Sequence, residues 1–168
     1  MIRMSTRGRY GARAVFELAR NFDNGRLTVK GIADRTGIPM KYLEQIFFVM
    51  KEANFIHSAR GPAGGYKLAV TPEDLTLLQV LETLEGSFGY VKCAKDPSSC
   101  EKVGACVFHK VWKELSATTE RLLSGITYAD LMKEAEPTIF QEMQEPMLQL
   151  IKSDNTETVA EVMPASLA

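Results

Sequence analysis

The sequence predicts a mainly α-helical fold that contains one small β-hairpin, and three observations support this prediction. Apolar residues recur at helical spacing over most of residues 10–50, 77–84 and 108–122. Two short β-rich runs, "FIHSA" and "YKLAV", flank a single glycine-rich loop, "RGPAGG". Hydrophobic residues make up 45% of the chain and charged residues 24%, which is the composition of a soluble globular protein with a core.

The first helix is expected to begin at a cap formed by Ser5 or Thr6 and to run to about Phe22. Val15, Leu18 and Phe22 lie on one stripe with helical spacing, and the turn signal "NG" follows them. This helix is therefore predicted to bury one face in the core.

Two further helices follow, with only a glycine-containing turn between them. Thr28 is predicted to cap the first of them, Gly37 to end it, and Pro39 to stand in the first turn of the second. The pair has the form of a helix-turn-helix unit, whose second helix can enter the major groove of DNA. The predicted buried stripe of that second helix consists of Leu43, Ile46, Phe47 and Met50.

The β-hairpin follows the helix pair directly, which is the position of the wing in a winged helix-turn-helix DNA-binding domain. Glycine and proline residues let the hairpin tip lie close to a nucleic-acid backbone, and Arg60 places a guanidinium at the base of the tip. A narrow minor groove attracts an inserted arginine. The sequence therefore predicts a winged helix-turn-helix domain that binds DNA.

The distribution of charge agrees with this prediction, although the net charge of the whole chain is only −1. Residues 1–70 contain 12 Lys and Arg against 5 Asp and Glu, whereas residues 71–168 contain 8 against 16. A basic first part joined to an acidic second part indicates a phosphate-facing module attached to a segment with another role.

More helices are predicted after the wing. Thr71 and Asp74 have the spacing of a capping box, Pro72 suits the first helical position, and Gly86 ends this helix. Its apolar positions are Leu77, Val80, Leu81 and Leu84.

A long amphipathic helix is then predicted from about Ala105 to Leu123, and Thr127 with Asp130 is predicted to cap a short helix to about Ala135. A helix of this length projects from a small domain, so we expect it to form a homodimer interface. Its apolar face consists of Phe108, Val111, Trp112, Leu115, Thr119 and Leu122.

The expected organisation has four parts. Residues 1–86 form the winged helix-turn-helix domain, residues 87–107 a loop that contains all three cysteines and is expected to have a binding role, and residues 108–136 the dimerisation helix with the following short helix. Residues 137–168 form a C-terminal extension that is expected to be partly disordered, because its end is small, polar and acidic.

Several other classes of protein are not favoured. No apolar run reaches the roughly 18 residues that a membrane span needs, and the N-terminus lacks the apolar stretch of a secretion signal, so a cytoplasmic location without a membrane partner is expected. No nucleophile–base arrangement or phosphate-binding loop is evident. We therefore expect neither enzymatic activity nor a small-molecule substrate.

All three cysteines and one of the two histidines lie within residues 93–109, with the spacing C-x6-C-x5-C-x2-H. Zinc sites of the finger type bring cysteines together as close C-x2–4-C pairs, so the wide gaps here favour a loop around an iron–sulfur cluster. Cys106 and His109 are expected on one face at the start of the long helix. The alternative is a protein without a cluster, whose cysteines bind zinc or respond directly to oxidation.

The motifs "STRGRYGARAVFELA", "YLEQIF", "ARGPAGGYKLA" and "CVFHKVWKEL" together resemble the Rrf2 family of winged helix-turn-helix transcriptional regulators, and most closely its iron–sulfur cluster regulator (IscR) branch. The resemblance covers residues 1 to about 135. It implies a repressor-type regulator that binds a palindromic operator as a homodimer and senses cluster, iron, redox or nitric oxide status. The implied ligands of a [2Fe–2S] cluster are Cys93, Cys100, Cys106 and His109.

The resemblance also implies the surface that contacts DNA, which includes the start of the recognition helix, the wing and the N-terminal end of the first helix. The implied DNA contacts are Thr6, Arg7, Thr28, Pro39, Met40, Lys41, Tyr42, Glu44, Gln45, Arg60, Gly61, Pro62 and Gly64.

Two departures from the IscR pattern bear on these expectations. The first cysteine gap is one residue longer, which resembles branches that carry [4Fe–4S] clusters. The branch that senses nitric oxide can take a fourth ligand from an N-terminal carboxylate, and Arg9 stands at that position here. His109 is therefore the expected fourth ligand, and [2Fe–2S] is favoured over [4Fe–4S]. The extension beyond residue 136 has no counterpart in the resemblance.

Overall fold

The computed structural model describes residues 4–61, 64–87 and 90–135. One compact unit spans Met1–Met132, and a second, Lys133–Ala168, lies almost entirely outside the described residues, as does the expected C-terminal extension. The main elements are α1 (Thr6–Arg20), α2 (Val29–Thr36), α3 (Met40–Glu52), β1 (Ile56–Ala59), β2 (Gly65–Leu68), α4 (Leu77–Glu85), α5 (Lys92–Lys95), α6 (His109–Ser124) and α7 (Tyr128–Glu134). Short 3₁₀ turns occupy Phe22–Asn24, Pro97–Ser99 and Val103–Ala105.

The predicted mainly α-helical fold with one β-hairpin is confirmed. β1 and β2 pair antiparallel, with Ile56 opposite Leu68, and Leu27 pairs with the other edge of β2 through two hydrogen bonds to Tyr66 of 2.9 and 2.8 Å. Gly65 has a φ of +137°, and a Cβ there would lie 2.5 Å from the Leu27 carbonyl oxygen. This close approach requires glycine at residue 65 and attaches the wing to the segment before α2.

Side-chain caps define the first two helices as predicted. The Ser5 hydroxyl accepts a hydrogen bond from the backbone of Gly8 at 3.1 Å, and the Thr28 hydroxyl accepts one from Gly31 at 3.0 Å. Gly37 ends α2 in the left-handed conformation, with a φ of +70°. α1 ends two residues before the predicted Phe22, because the Asn21 side chain bonds to the Gly25 carbonyl and turns the chain.

The core lies between α1, α3, α4 and α7. The predicted stripe of α3 is confirmed, since Leu43, Ile46, Phe47 and Met50 are all completely buried. Tyr128 of α7 is also completely buried, its hydroxyl donates to the Ala12 carbonyl at 3.3 Å, and burial raises its pKa. The buried stripe fixes the orientation of α3 in the core, and the Tyr128 hydrogen bond attaches α7 to α1.

The predicted start of α4 is wrong. Thr71 and Asp74 do form hydrogen bonds with each other, but they close a turn, and α4 begins at Leu77 with Thr76 and Gln79 as its capping box. The cause is a long-range backbone pairing, because the carbonyl of Leu75 and the N–H of Leu77 bond to residues 128 and 126. That pairing holds the intervening backbone extended.

The predicted start of the long helix is also wrong. α6 begins at His109 instead of about Ala105, because Val103–Ala105 forms a 3₁₀ turn and Cys106 has an extended backbone. The capping of α7 is as predicted: the Thr127 N–H donates to Asp130 at 3.2 Å, and the Asp130 N–H donates to the Thr127 hydroxyl at 3.1 Å. Within the described ranges, none of the helices combines the length and apolar character that a bilayer crossing requires.

Candidate nucleic-acid interface and cysteine segment

The outer face of α3 carries the side chains that were predicted to read DNA. Lys41, Glu44 and Gln45 are exposed, as predicted, whereas Tyr42 is half-buried. Its ring packs edge-on against Tyr10 of α1, with ring centroids 5.5 Å apart. Tyr42 therefore positions α3 on α1 and presents only part of its ring to the outside.

A groove of about 560 Å³ runs along one side of α3 and is shared with the N-terminal end of α1. It contains two of the predicted basic contacts, Arg7 from α1 and Lys41 from α3. Glu44 and Gln45 complete its polar lining, and Phe48 contributes an exposed apolar surface. The two predicted contact regions therefore face a common groove.

A second groove, of about 480 Å³, lies on the other side of α3 and is bounded by the wing. Its wall on the wing side includes Arg60, and the opposite wall carries Glu44 and Lys51 of α3. Packing between the rings of Phe47 and Tyr66, with centroids 4.6 Å apart, holds the wing against α3. The other predicted contacts that line this groove are Thr28, Gly61 and Gly64.

The wing tip is shaped by its glycines. Gly61 has a φ of +101°, and its carbonyl oxygen accepts a hydrogen bond from the Gly64 N–H at 2.9 Å. A Cβ at Gly64 would lie 2.5 Å from the Ala59 carbonyl oxygen, so the turn has no room for a larger residue. The predicted contact Pro62 lies outside the described residues.

The N-terminal end of α1 is attached to the C-terminal end of α4. Both the hydroxyl and the N–H of Ser5 donate to a carboxylate oxygen of Glu85, at 2.7 and 3.1 Å. Thr6 and Arg7, which follow Ser5 in the first turn of α1, are exposed. Two of the predicted DNA contacts are thus positioned by a helix from another part of the domain.

The positive charges around α3 remain available to phosphates. Among the described residues, Arg7, Lys41 and Arg60 are in no ion pair with a carboxylate, whereas Arg20 and Arg35 are paired with Glu17. Unpaired, exposed cations beside a protruding helix are the electrostatic pattern of a surface that binds DNA.

The segment with the cysteines consists of short helical turns. Cys93 lies in α5, Cys100 follows the Pro97–Ser99 turn, and Cys106 precedes α6. All three are half-buried thiols outside any disulfide. The structure corrects one expectation: Cys106 lies before α6 and not on the same helical face as His109.

The residues of this segment suit an iron–sulfur cluster in their chemistry, but the described residues form no ready site for a single metal ion. Within the described ranges, no three His, Cys, Asp or Glu side chains are gathered closely enough to hold a metal ion. However, Nδ1 of His109 is buried and has no hydrogen-bond partner among the described residues. A buried polar atom without a partner is costly, so this nitrogen is suited to an additional ligand.

The cysteine segment is attached to two helices through polar side chains. Lys95 of α5 forms ion pairs with Glu120 of α6 at 2.7 Å and with Glu82 of α4 at 3.6 Å. Tyr90 shares a hydrogen bond of 2.8 Å with the Thr119 hydroxyl. Sequence analysis did not identify Lys95, because nothing in its local pattern indicates these distant partners.

The apolar face of α6 is divided into two parts. Sequence analysis placed Trp112 and Thr119 on the apolar face that was expected to form the dimer. Both are instead half-buried against other parts of their own chain. The exposed apolar stripe consists of Phe108, Val111, Leu115 and Leu122.

Sequence analysis also missed Phe48, whose side chain is 65% exposed on α3. The signal was available, because Phe48 follows Lys41, Glu44 and Gln45 by seven, four and three residues, and these spacings place side chains on one face of a helix. Apolar residues of α3 were assigned to the core, so this residue was not considered.

Comparisons with known proteins agree with the fold. The Rrf2 family model, described as an iron-dependent transcriptional regulator, matches residues 4–134. Protein rrf2 of Nitratidesulfovibrio vulgaris is 34% identical over 134 residues, which cover 80% of this chain and 89% of that protein.

Two solved structures are similar over most of the chain. IscR of T. potens has a TM-score of 0.66 and 35% identity, with 80% of this chain and 88% of that chain covered. CymR, the global cysteine regulator of B. subtilis, has a TM-score of 0.68 and 29% identity, with 80% and 98% covered. These matches confirm the predicted winged helix-turn-helix fold and a regulatory, non-enzymatic role. The chain therefore belongs to the Rrf2 family of transcriptional regulators.

Proposed function

We propose that this protein is a dimeric, repressor-type regulator whose affinity for a palindromic operator depends on an iron–sulfur cluster. Residues 1–86 bind DNA, residues 87–107 hold the cluster and residues 108–136 form the dimer. The main observation in support is that α3 protrudes between two grooves with exposed, unpaired cations on both sides. The relatives it resembles are bacterial regulators, whose DNA targets lie in the cytoplasm, so we propose a cytoplasmic location.

In the proposed complex, α3 enters the major groove and the two flanking grooves admit the phosphate backbones. Lys41 suits a phosphate or a guanine edge, Gln45 an adenine, and Glu44 the amino group of cytosine. Glu44 also repels phosphates, so it disfavours sites that lack this cytosine. Arg60 at the wing reaches the minor groove. The remaining proposed contacts are Thr6, Arg7, Thr28, Pro39, Met40, Tyr42, Gly61, Pro62 and Gly64.

The proposed dimer forms through the exposed apolar stripe of α6. Phe108, Val111 and Leu122 are 61%, 55% and 64% exposed, and a second copy of the same helix would remove them from water. Two-fold symmetry then requires a palindromic operator with half-sites about one helical turn apart, or a multiple of it.

The proposed cluster ligands are Cys93, Cys100, Cys106 and His109, with [2Fe–2S] favoured over [4Fe–4S]. Support comes from the donor set, from the buried Nδ1 of His109, and from the iron dependence in the description of the family. A cluster with an imidazole ligand has a higher reduction potential than one with cysteines alone, which suits a sensor. Because no three of these side chains are close enough to hold a single metal ion in this structure, we expect residues 93–106 to rearrange around His109 when they bind the cluster.

The attachments of the cysteine segment provide a route from the cluster to the DNA-binding surface. Rearrangement of residues 93–106 changes the position of Lys95, which is paired with Glu82 of α4. The same last turn of α4 carries Glu85, which bonds to Ser5 beside Arg7. A coupling free energy of 1–3 kcal/mol, the usual range, corresponds to a change of about 5- to 150-fold in operator affinity.

Two measurements test this function. The operator is first selected from random duplexes by the full-length protein, and its affinity is then measured with cluster-loaded and with cluster-free protein. The proposal predicts a visible absorption spectrum with stoichiometric iron and sulfide after anaerobic purification, and unequal operator affinities. A colourless protein, or equal affinities in the two states, would contradict the role of the cluster.

A second candidate function is regulation by the cysteine thiols themselves, or by zinc bound to them. The direct thiol response is favoured by the three free thiols, which form no metal-ion site with His109 in the described part of the chain, and by the similarity to CymR. In this case the purified protein is colourless. Operator affinity then changes with a thiol oxidant or with zinc, and replacing the cysteines by serine removes that response.

A further inference from the structure

Phe48 is an exposed aromatic residue in the middle of the DNA-binding surface. Its side chain is 65% exposed, although its neighbour Phe47 is completely buried. It lines both grooves that flank α3, a property it shares with Glu44. Phe48 therefore stands at the ridge of α3, on the face that carries the proposed base-reading side chains.

The surroundings of Phe48 indicate what covers it. The two grooves contain Arg7, Lys41, Lys51 and Arg60, which an apolar protein partner would have to bury without compensation. A DNA duplex neutralises these cations with its phosphates and presents base edges to the ridge of α3. The exposed apolar stripe of α6 is not an alternative partner for Phe48, because it lies in a different part of the sequence and is assigned to the proposed dimer interface. Duplex DNA is therefore the occupant that suits both the apolar ridge and its basic borders.

We propose that Phe48 packs against the C5-methyl group of a thymine in the major groove, and that it makes the operator selective for thymine at one position in each half-site. This inference rests on the proposed function. The methyl group of thymine is the one apolar group that an unmodified base pair presents in the major groove, and phenylalanine is among the side chains that contact it. Removing this methyl group from water adds affinity without a hydrogen bond.

The test uses the operator selected by the full-length protein. Each thymine is replaced in turn by deoxyuridine, which differs only by the absence of the methyl group, and affinity is measured by fluorescence anisotropy at constant salt. At one position in each half-site, the wild-type protein is expected to lose roughly 4-fold in affinity per methyl group. The Phe48→Ala variant is expected to bind the thymine operator more weakly than the wild type does. It is also expected to bind the thymine operator and the deoxyuridine operator equally well. Cytosine and 5-methylcytosine at that position provide a second comparison, and the methylated base is expected to be preferred.

Phe48→Leu is the matched variant, because it keeps an apolar side chain on the ridge and is expected to keep most of the preference for the methyl group. If no thymine shows the effect, or if Phe48→Ala keeps it in full, the inference is wrong while the proposed function stands. If the protein selects no duplex sequence at all, the proposed function itself fails. Circular dichroism of Phe48→Ala verifies that loss of this exposed side chain leaves the fold unchanged.

Discussion

Ser5 and Glu85 join the beginning of α1 to the end of α4, with the Ser5 hydroxyl donating to a carboxylate oxygen of Glu85 at 2.7 Å. The same oxygen accepts the Ser5 N–H at 3.1 Å. A carboxylate beside the N-terminal end of a helix is also stabilised by the helix dipole. This contact positions the first turn of α1, which carries Arg7, and it connects that turn with the helix that is paired to the cysteine segment.

Replacing Glu85 by alanine removes both hydrogen bonds and the charge at the end of α1. We expect the free energy of unfolding to fall by about 1 kcal/mol, as measured by urea denaturation. We also expect weaker operator binding, because Arg7 is less well positioned. Glu114→Ala is the control, since its ion pair with Arg121 is largely exposed and is expected to contribute at most about 0.5 kcal/mol. If Glu85→Ala and Glu114→Ala lose the same free energy of unfolding, the contact between Ser5 and Glu85 is only a surface interaction.

Gly11 allows α1 and α4 to approach closely. A Cβ at this position would lie 2.0 Å from Cδ1 of Leu84, which is itself buried. Overpacking of this kind costs about 1–3 kcal/mol, of which the better helix propensity of alanine returns up to about 1 kcal/mol. We therefore expect Gly11→Ala to lower the free energy of unfolding by about 1–2 kcal/mol. Gly104→Ala is the control, because nothing lies within 4 Å of a Cβ there, and a comparable loss in it would refute the explanation.

Much of the domain could be predicted from the sequence because its signals are local. Thr28 and Gly37 define α2 through a cap and a left-handed residue, and the spacing of the α3 stripe identifies the buried face. The same periodicity identifies the outer face, on which Lys41 and Gln45 are exposed. Local chemistry was therefore sufficient for the helix-turn-helix and for its exposed polar side chains, but not for the exposed Phe48 or the half-buried Tyr42.

The remaining features depend on contacts between residues that are distant in sequence. α4 starts late because the backbone around Leu75 pairs with the segment before α7, and no local motif indicates this pairing. Lys95 and Glu85 acquire their roles only when α1, α4, α5 and α6 are all in place. The cysteine spacing identifies a donor set, but it does not determine whether the thiols converge, since that depends on the turns between Cys93 and His109. Sequence patterns are therefore least informative for the cysteine segment, where the ability to bind a cluster depends on the conformation of the turns.

The assignment of phosphate contacts predicts a change in the salt dependence of DNA binding. Lys41→Ala and Arg60→Ala are each expected to reduce the slope of log affinity against log salt concentration by roughly one unit for each phosphate that the variant no longer binds. The slope is measured by anisotropy titrations at several salt concentrations. Lys113→Ala is the matched control, since this exposed lysine lies on α6, outside both grooves. Unchanged slopes in both variants of the interface would disprove the contact assignments.

The exposed stripe of α6 predicts that association depends on its apolar side chains. Val111→Asp and Leu122→Asp place a charge in the proposed interface, and we expect each variant to sediment as a monomer at concentrations where the wild type is a dimer. Because these residues are 55% and 64% exposed in the single chain, the variants are expected to remain folded. Lys113→Asp, which changes an exposed residue outside the stripe, is expected to remain dimeric. A wild-type protein that sediments as a monomer would exclude this interface.

His109 provides the last prediction, because its buried Nδ1 has no partner among the described residues. Since no described residue bonds to this atom when the cluster is absent, replacing His109 by leucine is expected to remove a desolvation cost without removing a hydrogen bond. We expect His109→Leu to raise the free energy of unfolding of the cluster-free protein by about 1 kcal/mol, given that the side chain as a whole is only half-buried.

The same substitution is expected to have the opposite effect when the cluster is present. Without the imidazole ligand, His109→Leu should lose its visible absorption faster in air than the wild type, and the cluster should add less to its stability. His57→Leu is the matched control, because His57 is exposed on β1 and is expected to change neither quantity. The two effects have opposite signs because one atom is unsatisfied in the cluster-free protein and bound in the loaded protein. A lower stability of cluster-free His109→Leu would instead indicate that His109 serves the packing of α6, and the proposed fourth ligand would then have to be sought elsewhere in the chain.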